Sequence, residues 1–452
     1  MYDELTFENC QHSKDPVLSC ALEGVAGIIA GIRDVSMVIH SPQGCAATVA
    51  MAYDHHEIDF TRRKIGCSRL FEADIIMGAS GKLKALIKEA DQSFKTKSMF
   101  VIGTCAADII GEDLNGLCRN LQPEISAKLI PVMAGGFRGD SYAGANLGLE
   151  ALLPFIAANP SRTANTVNII APQINLNPTW RADLAWVKTV LNCMGITVQT
   201  VVAHDITLSE LENAGTAAAN ILLSHDVGHT FARKIQERHG IPLILADMPL
   251  PVGLKNTARW LQALGAYFNA EDAAAALIRT GEELVIDTLR RRALMIIPRY
   301  RNCKIAVVAD ATIGIGLVRM LYEELEMIPE LLLIKSDSPY VRKLLGQELN
   351  ALGIRPKVVF GADGYQIKQA LATVEVDAVL GSAWEKYVAE ELGIRTAFDV
   401  LAPANTDIYL DRAYFGYEGM LNLLERVGNC WEAAFRSKTI NWAQYERAFN
   451  QQ

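Results

Sequence analysis

The segment 35-VSMVIHSPQGCAATVAMAY-53 indicates how this chain folds. Its first six residues, Val35–His40, form a short apolar run with β-branched side chains, and such a run predicts a buried strand. Ser41–Gly44 contain proline and glycine and predict a tight turn. The stretch that follows, AATVAMAY, has the character of a helix. Strand, turn and helix in this order are the unit from which parallel α/β sheets are built.

Runs of the same kind recur outward from this segment along the chain. The further predicted strands are Ile75–Met77, Met99–Gly103, Val167–Ala171, Thr197–Val202, Asn220–Leu223, Pro242–Ala246, Lys304–Asp310, Leu331–Ile334, Lys357–Phe360 and Ala378–Leu380. Longer amphipathic stretches separate them, as is typical of parallel α/β units. We therefore predict an α/β protein with three doubly wound, Rossmann-like domains and parallel sheets.

The three predicted domains cover residues 1–163, 164–290 and 291–452, the last with C-terminal helices. The polar, proline-containing stretch Asn159–Asn165 (NPSRTAN) is interpreted as a linker. In sheets of this type, ligands bind outside the carboxyl ends of the strands. Functional residues are therefore expected in loops that follow strands.

Composition excludes several classes of protein. Half of the 452 residues are hydrophobic and 21% are charged, which excludes a mainly disordered chain. The net charge of -8 argues against a nucleic-acid partner. No apolar run approaches the roughly 18 residues that cross a bilayer, and the start, MYDELTFENC, has no apolar core of a signal peptide. We expect a cytoplasmic protein with no membrane segment.

Three of the nine cysteines share one local context. Cys45 and Cys105 each stand between a predicted strand and a predicted helix, and Cys20 stands at the start of an apolar helix. Free N–H groups and the helix dipole favour a thiolate at such positions. Thiolates suit an anionic metal cluster, whereas the simplest reading of a free cysteine is a buried apolar thiol. Long gaps separate the three residues, unlike the short spacings of zinc ribbons and ferredoxins.

Three thiolates are one fewer than the four protein ligands of an ordinary cubane iron–sulfur cluster. A fourth ligand must come from Cys67, from an oxygen ligand or from another polypeptide. A structural role for the Cys67 thiol is the favoured interpretation at this stage.

Motifs spread through the chain resemble component 1 of nitrogenase and its relatives. They are C-x3-G-V (Cys20–Val25), HSPQGCA (His40–Ala46), E-x-D-I-I-M-G (Glu72–Gly78), T-C-x2-D-I-I-G-E-D-L (Thr104–Leu114), RHGIPL (Arg238–Leu243), P-V-G-L-x2-T (Pro251–Thr257) and FGYEG (Phe415–Gly419). Each motif alone is weak, but their order along the chain is specific.

The resemblance implies a site and partners. Cys20, Cys45 and Cys105 match the three cysteines that each subunit gives to an interfacial iron–sulfur cluster, which would be P-cluster-like (8Fe-7S) or 4Fe-4S. The sequence around Cys45 resembles that of the β-type subunit. Asp140 takes the place of a serine ligand of that subunit, with Ser141 adjacent. The implied partners are a homologous α-type catalytic subunit, in an α2β2 heterotetramer, and an ATP-dependent iron–sulfur reductase homodimer.

The resemblance also implies that this chain carries no active-site cofactor. Catalytic α subunits hold theirs with a cysteine and a histidine, and counting back from the matching motifs gives Ser224 and Thr406 here. His225 could be a displaced substitute, but we expect it is not. No catalytic residue is assigned, and an electron-relay subunit is predicted.

Departures from the family pattern narrow the expected activity. True nitrogenase β subunits have Gln-Pro after the first cysteine, where this chain has Ala21-Leu22, and the N-terminal arm is short. These differences favour nitrogenase-like reductases such as methylthio-alkane reductase, which cleaves C–S bonds of small organic thioethers. A β subunit of a true nitrogenase, a scaffold for cofactor assembly and a tetrapyrrole reductase subunit remain alternatives.

Overall fold

The computed structural model describes residues 7–9, 19–55, 58–158, 161–171, 177, 179–404 and 409–439. Its strands are β1 (Phe7–Asn9), β2 (Val35–His40), β3 (Lys64–Cys67), β4 (Ser98–Gly103), β5 (Lys128–Met133), β6 (Thr163–Ile170), β7 (Thr197–Val202), β8 (Ala217–Leu222), β9 (Leu243–Ile244), β10 (Lys304–Ala309), β11 (Ile328–Ile334), β12 (Lys357–Phe360), β13 (Ala378–Leu380) and β14 (Arg395–Ala397).

Helices follow most of the strands. They are α1 (Ala21–Ala30), α2 (Gln43–His55), α3 (Glu72–Met77), α4 (Ser80–Phe94), α5 (Cys105–Ile109), α6 (Leu114–Leu121), α7 (Ser141–Leu152), α8 (Trp180–Cys193), α9 (Leu208–Glu212), α10 (His229–His239), α11 (Leu254–Phe268), α12 (Glu271–Arg290), α13 (Ala293–Tyr300), α14 (Ala311–Arg319), α15 (Pro339–Leu352), α16 (Gly364–Thr373), α17 (Glu385–Glu391) and α18 (Gly416–Thr439). None of these described helices combines the length and apolar character that crossing a bilayer requires.

The described strands form three sheets, and all of their pairings are parallel. The strand orders are β3-β2-β4-β5, β7-β6-β8-β9 and β1-β12-β11-β10-β13-β14. This arrangement confirms the predicted α/β class with three parallel sheets. Most of the predicted strands are present, and Val35–His40, Thr197–Val202, Lys357–Phe360 and Ala378–Leu380 have the predicted bounds.

The described residues group into two compact units. One unit falls within residues 14–176 and 191–246 and contains the two four-stranded sheets. The other falls within residues 1–13, 177–190 and 247–452 and contains the six-stranded sheet. The division into three domains at 163/164 and 290/291 stays a prediction.

The first sheet reverses its direction of growth between β2 and β4. The chain adds β3 on one side of β2 and then β4 and β5 on the other side. Such a switch point leaves a crevice outside the carboxyl ends of the two central strands. The loops that follow β2 and β4 are therefore the positions at which a ligand is expected.

Each face of the first sheet is covered by its own group of helices. Ile39 and Ile102 point into a core shared with α1, α2 and α7, which includes Val25 and Tyr53. Val38 points the other way, into a core with α4 and α6. Alternation of side chains along the strands produces this division. The helices α1, α2 and α7 thus lie on one face of the sheet.

Two details of the sequence interpretation are wrong. Ile75–Met77, predicted as a strand, belongs to helix α3, where the Asp74 carboxylate accepts a hydrogen bond from the Phe71 N–H at 2.8 Å. Ile76 and Met77 are 80% and 85% exposed, so this apolar run does not enter the core. In addition, β6 begins at Thr163, within the stretch interpreted as a linker.

Candidate functional site

The structure places Cys45 and Cys105 at the switch point of the first sheet. Cys45 is the third residue of α2, which follows β2, and Cys105 is the first residue of α5, which follows β4. Because β2 and β4 are paired neighbours, with His40 opposite Gly103, both cysteines lie beyond the same end of the sheet. The Thr104 hydroxyl donates to the His40 carbonyl at 2.8 Å and links the two loops.

Close packing of two helices positions Cys20. Cys20 is the N-cap residue of α1, which packs along α7. A Cβ atom on Gly24 would lie 2.0 Å from the Ser141 carbonyl oxygen, so only glycine permits this approach. The Ala21 N–H donates to the Gly139 carbonyl at 3.1 Å. Cys20 therefore lies next to the segment that begins α7.

The cysteines are close enough to affect one another electrostatically. Burial raises the pKa of the Cys45 thiol, and the neighbouring charges of Cys20, Cys105 and Cys67 raise it further. All four thiols are half-buried. A group of thiolates in such a place requires a compensating positive charge. Bound iron would supply that charge and lower the cost of ionising the four sulfurs together.

The described thiols do not form a site for a single metal ion. Within the described parts of the chain, no three Cys, His, Asp or Glu side chains converge closely enough to hold one metal ion. The protein ligands of an iron–sulfur cluster bind different iron atoms and therefore do not share one centre.

A backbone N–H group points at one of the sulfurs. The Gly136 N–H donates to Cys105 Sγ at 2.9 Å. The backbone at Gly135 lies close to the start of α5, because a Cβ atom on Gly135 would lie 3.0 Å from the Cys105 nitrogen and 2.3 Å from Asp108 Oδ2. Hydrogen bonds to cluster sulfurs are one of the factors that set a reduction potential.

A buried polar network lies behind the cysteine loops. His40 Nδ1 is 3.0 Å from Ser68 Oγ, and His40 Nε2 is 2.5 Å from Glu112 Oε2. The Ser80 hydroxyl donates to the other Glu112 oxygen at 2.6 Å, and Ser68 Oγ accepts from the Ser41 N–H at 3.0 Å. The network joins the segments after β2, β3 and β4. Sequence reasoning missed it, because its members are far apart in the chain.

Asp140 is brought next to Cys20 but has a local role as well. Asp140 Oδ1 accepts a hydrogen bond from the Ala143 N–H at 3.0 Å and caps the N-terminus of α7. Ser141, the first residue of that helix, is buried. Iron ligation by Asp140 stays a prediction.

Cys67 also lies at this edge of the sheet, although a purely structural thiol was the favoured interpretation. It is the last residue of β3, a strand that the sequence analysis missed. The run KIGC is too short and too mixed in character to stand out from the loop around it. The pairing of β3 with β2 places this thiol at the candidate site.

Ser224 and Thr406 are the positions that are predicted not to bind an active-site cofactor. Ser224 is buried after β8, and its hydroxyl accepts from the N–H groups of Asp226 and Val227 at 3.2 Å each. Thr406 lies outside the described residues. Burial, with a smaller contribution from His229, lowers the pKa of His225 to about 3, so its imidazole is neutral at physiological pH.

Exposed apolar side chains occur on elements that carry the cysteines or lie next to them in sequence. They lie on α2, α3 and α5 and in the segments before α3 and α7, and their exposed fractions are above half. They are Met51, Phe71, Ile76, Met77, Ile109 and Phe137, which we call the apolar rim. Contiguous exposed apolar surface is typical of protein interaction sites.

Known proteins similar to this chain include alpha and beta chains of nitrogenases and a cofactor biosynthesis protein. The nitrogenase iron-molybdenum cofactor biosynthesis protein NifE of Methanococcus maripaludis is 26% identical over 425 residues, covering 90% of this chain and 82% of NifE. The nitrogenase vanadium-iron protein beta chain of Trichormus variabilis is 24% identical over 406 residues, covering 83% and 84%. The nitrogenase molybdenum-iron protein alpha chain of Methanothermobacter thermautotrophicus is 26% identical over 429 residues, covering 89% and 85%.

A solved structure and a family model also match this chain. A solved structure titled "Nitrogenase Cp1 at pH 6.5" superposes with a TM-score of 0.78 at 17% identity, covering 96% of both chains. The family model of nitrogenase component 1 type oxidoreductases matches residues 20–432, a span that includes Cys20, Cys45 and Cys105. Since that match extends over nearly the whole chain, this protein belongs to the nitrogenase component 1 type oxidoreductases and is an oxidoreductase subunit of that family.

Proposed function

We propose that this chain is the β-type subunit of a nitrogenase-like reductase. It relays electrons from an ATP-dependent iron–sulfur reductase homodimer to a homologous α-type catalytic subunit. The observation that carries the proposal is the placement of Cys20, Cys45 and Cys105 at one edge of the first sheet, near enough for their charges to interact. No catalytic residue is assigned to this chain.

The residues that would hold the cofactor fit an iron–sulfur cluster. Cys20, Cys45 and Cys105 offer thiolates, and Asp140 offers a carboxylate next to Cys20. When bound, a P-cluster-like 8Fe-7S or a 4Fe-4S cluster supplies one-electron transfer. The chain contributes the Gly136 N–H, aimed at Cys105 Sγ, and the half-burial of the thiols, both of which tune a reduction potential.

An α-type partner is supported by the surface around the site. The apolar rim includes exposed residues of α2 and α5, the helices that carry Cys45 and Cys105, and a partner that covered it would bury this surface. We propose an α2β2 heterotetramer, with the reductase homodimer docking on it transiently and hydrolysing ATP.

We propose small organic thioethers as the substrates, reduced on the α-type partner. The support is a sequence difference: Ala21-Leu22 follow Cys20, where nitrogenase β subunits have Gln-Pro. In the structure, Ala21 and Leu22 begin α1 and are buried. The activity is then that of a methylthio-alkane reductase.

A scaffold for building a nitrogenase-type cofactor is the second candidate function. The similarity to NifE over 90% of this chain favours it. In that case the same cysteines hold a cluster, but no substrate is turned over. A β subunit of a true nitrogenase, supported by the similarity to the vanadium-iron beta chain, would instead reduce dinitrogen.

Turnover by the anaerobically purified complex tests the proposed activity. The chain is produced with the partner encoded beside it and is assayed with its reductase and ATP on a methylthio compound, acetylene and dinitrogen. Release of methanethiol is expected. Reduction of dinitrogen would replace the proposal by a true nitrogenase, and turnover of none of the three would favour the scaffold.

Iron content tests the site separately from turnover. Cys20→Ala, Cys45→Ala and Cys105→Ala are each expected to lose most of the iron of the complex, because each removes one ligand. Cys193→Ala, at an exposed cysteine on α8, is the matched control. Unchanged iron and an unchanged electron paramagnetic resonance (EPR) spectrum in all three site variants would refute the cluster assignment.

A further inference from the structure

Cys67 ends the strand beside the one that leads to Cys45. It is the last residue of β3, at the edge of the first sheet, and it pairs with Ile39 of β2. Cys45 follows β2, and Cys105 follows β4 on the other side of β2. Three consecutive strands therefore carry a cysteine at or just beyond the same end of the sheet.

The Cys67 side chain points to the face on which the other thiols lie. Ile65, two residues earlier on β3, packs against the core that contains α1, α2 and α7. Residues two apart on a strand share a face, so Cys67 points to that side as well. Cys20 and Cys45 pack against the same core.

The contacts of the Cys67 sulfur place it at the Cys45 loop. Cys67 Sγ is 3.6 Å from the Ser41 carbonyl oxygen and 4.0 Å from that of Pro42, three residues before Cys45.

A backbone N–H group is directed at the Cys67 sulfur. The Arg69 N–H donates to Cys67 Sγ at 3.4 Å. The same kind of contact is made by Gly136 to Cys105. An N–H group directed at a sulfur stabilises a thiolate and is typical of cluster ligands.

Cys67 lines a cavity of about 510 Å³. Its walls include Gln43 and Ala46 of α2, Cys67, Arg69 and Phe94. Cys67 is half-buried, whereas Cys118 is buried in the core beneath α4 and α6. Cys67 is therefore not a fully buried core residue, whereas Cys118 is.

We propose that Cys67 is a fourth cysteine ligand that this chain contributes to the cluster. The inference rests on the proposed function, since it assigns one more ligand to the same cluster. On binding, the thiol releases its proton to solvent and the sulfur bonds to iron. Four thiolates are the usual ligand set of a cubane cluster.

Spectroscopy of variants tests the assignment in the purified complex. Cys67→Ala is expected to lower iron per chain and to change the EPR spectrum of the reduced complex. Cys67→Ser, which offers an oxygen ligand, is expected to retain more iron than Cys67→Ala with a spectrum unlike that of the wild type. Cys193→Ala is the control and should match the wild type in both measurements.

Alkylation of the unmodified protein provides a readout that does not depend on a variant folding. Iodoacetamide labelling is compared by mass spectrometry in the complex before and after iron is removed by a chelator. Cys67 should be protected with iron and labelled without it, while Cys193 should be labelled in both. Equal labelling of Cys67 in the two samples, or full iron with an unchanged spectrum in Cys67→Ala, would overturn the assignment.

The outcomes separate this inference from the proposed function. If Cys20→Ala, Cys45→Ala and Cys105→Ala lose iron while Cys67→Ala keeps it, only the fourth ligand is refuted. If the wild-type complex contains no iron, both proposals fail.

Discussion

Asp183 shows how one buried residue holds a distant part of the chain. The carboxylate lies on α8 and accepts hydrogen bonds from the N–H groups of Tyr414 and Phe415 at 2.7 and 2.9 Å and from the Thr179 hydroxyl at 2.6 Å. These bonds fix the chain just before α18. Burial nevertheless outweighs them and raises the pKa of Asp183 from 3.8 to about 6. The FGYEG motif therefore has a structural anchor.

The raised pKa makes stability depend on pH in a defined direction. Between about pH 4 and 6 the folded protein keeps a proton on Asp183 that the unfolded chain loses, so stability falls as pH rises through this window. The rise in the pKa of Asp183 from 3.8 to about 6 corresponds to about 3 kcal/mol in the free energy of unfolding. Asp183→Asn can keep the hydrogen bonds without a buried charge and should flatten this slope in urea unfolding.

The control for Asp183→Asn is Asp247→Asn, at an exposed carboxylate of the same compact unit. It should leave the slope between pH 4 and 6 as in the wild type. An identical pH dependence in Asp183→Asn and the wild type would show that this carboxyl group does not cause the slope.

At the scale of elements, the contact between α1 and α7 decides where Cys20 lies. A glycine on each helix permits this close contact. A Cβ atom on Gly144 would lie 2.0 Å from the Ala21 carbonyl oxygen, and a Cβ atom on Gly24 would lie 2.0 Å from the Ser141 carbonyl oxygen. Both obstacles are backbone atoms, which cannot move aside as a side chain can. The spacing of the two helices is therefore part of the site.

Gly24→Ala should disturb the site without changing a cysteine. The added methyl group must push α1 away from α7, which costs about 1–3 kcal/mol, and it displaces Cys20 from the other thiols. We expect a lower urea midpoint and less iron per complex. Gly81→Ala on α4, where a Cβ atom meets nothing within 4 Å, is the matched control. Equal iron and equal stability in the two variants would contradict this account.

At the scale of the whole molecule, the cysteines and the apolar rim belong to one compact unit. That unit contains the first two sheets, and the rim lies on elements at the end of the first sheet where the cysteines lie. The candidate thiols and the apolar rim thus lie in the same unit. The exposed Ile76 and Met77 of α3 are the least buried members of the rim.

A charged side chain in the rim should weaken assembly while leaving the fold intact. Met77→Lys changes a residue that is 85% exposed, so the stability of the isolated chain should change by less than about 0.5 kcal/mol. Affinity for the partner should fall roughly tenfold, as when an apolar contact is lost from an interface.

Sedimentation of mixed subunits measures this affinity. Tyr365→Lys, at a residue 70% exposed in the other compact unit, is the control and should assemble normally. Normal assembly of Met77→Lys would remove the rim from the interface.

Local sequence was enough to predict most of the sheet strands and the positions of three cysteines. A buried parallel strand such as VSMVIH or KVVF is apolar throughout, so its own composition identifies it. Proximity to a helix N-terminus is also a local property, which is why Cys20, Cys45 and Cys105 could be selected. Local pattern failed at IIM, where a capped helix leaves apolar side chains exposed.

What the sequence by itself determined was the α/β class and the candidate thiols; the tertiary structure decided which of them meet. The order β3-β2-β4-β5 places Cys67 on the strand next to the one that leads to Cys45, and it brings His40 to Glu112 across 72 positions. Strand order and helix spacing arise from contacts between distant segments, and a local pattern contains no information about which segments will meet. The physical reason is that the hydrophobic effect has no direction. It requires an apolar strand to be buried, but the packing of the whole unit decides which strand becomes its neighbour.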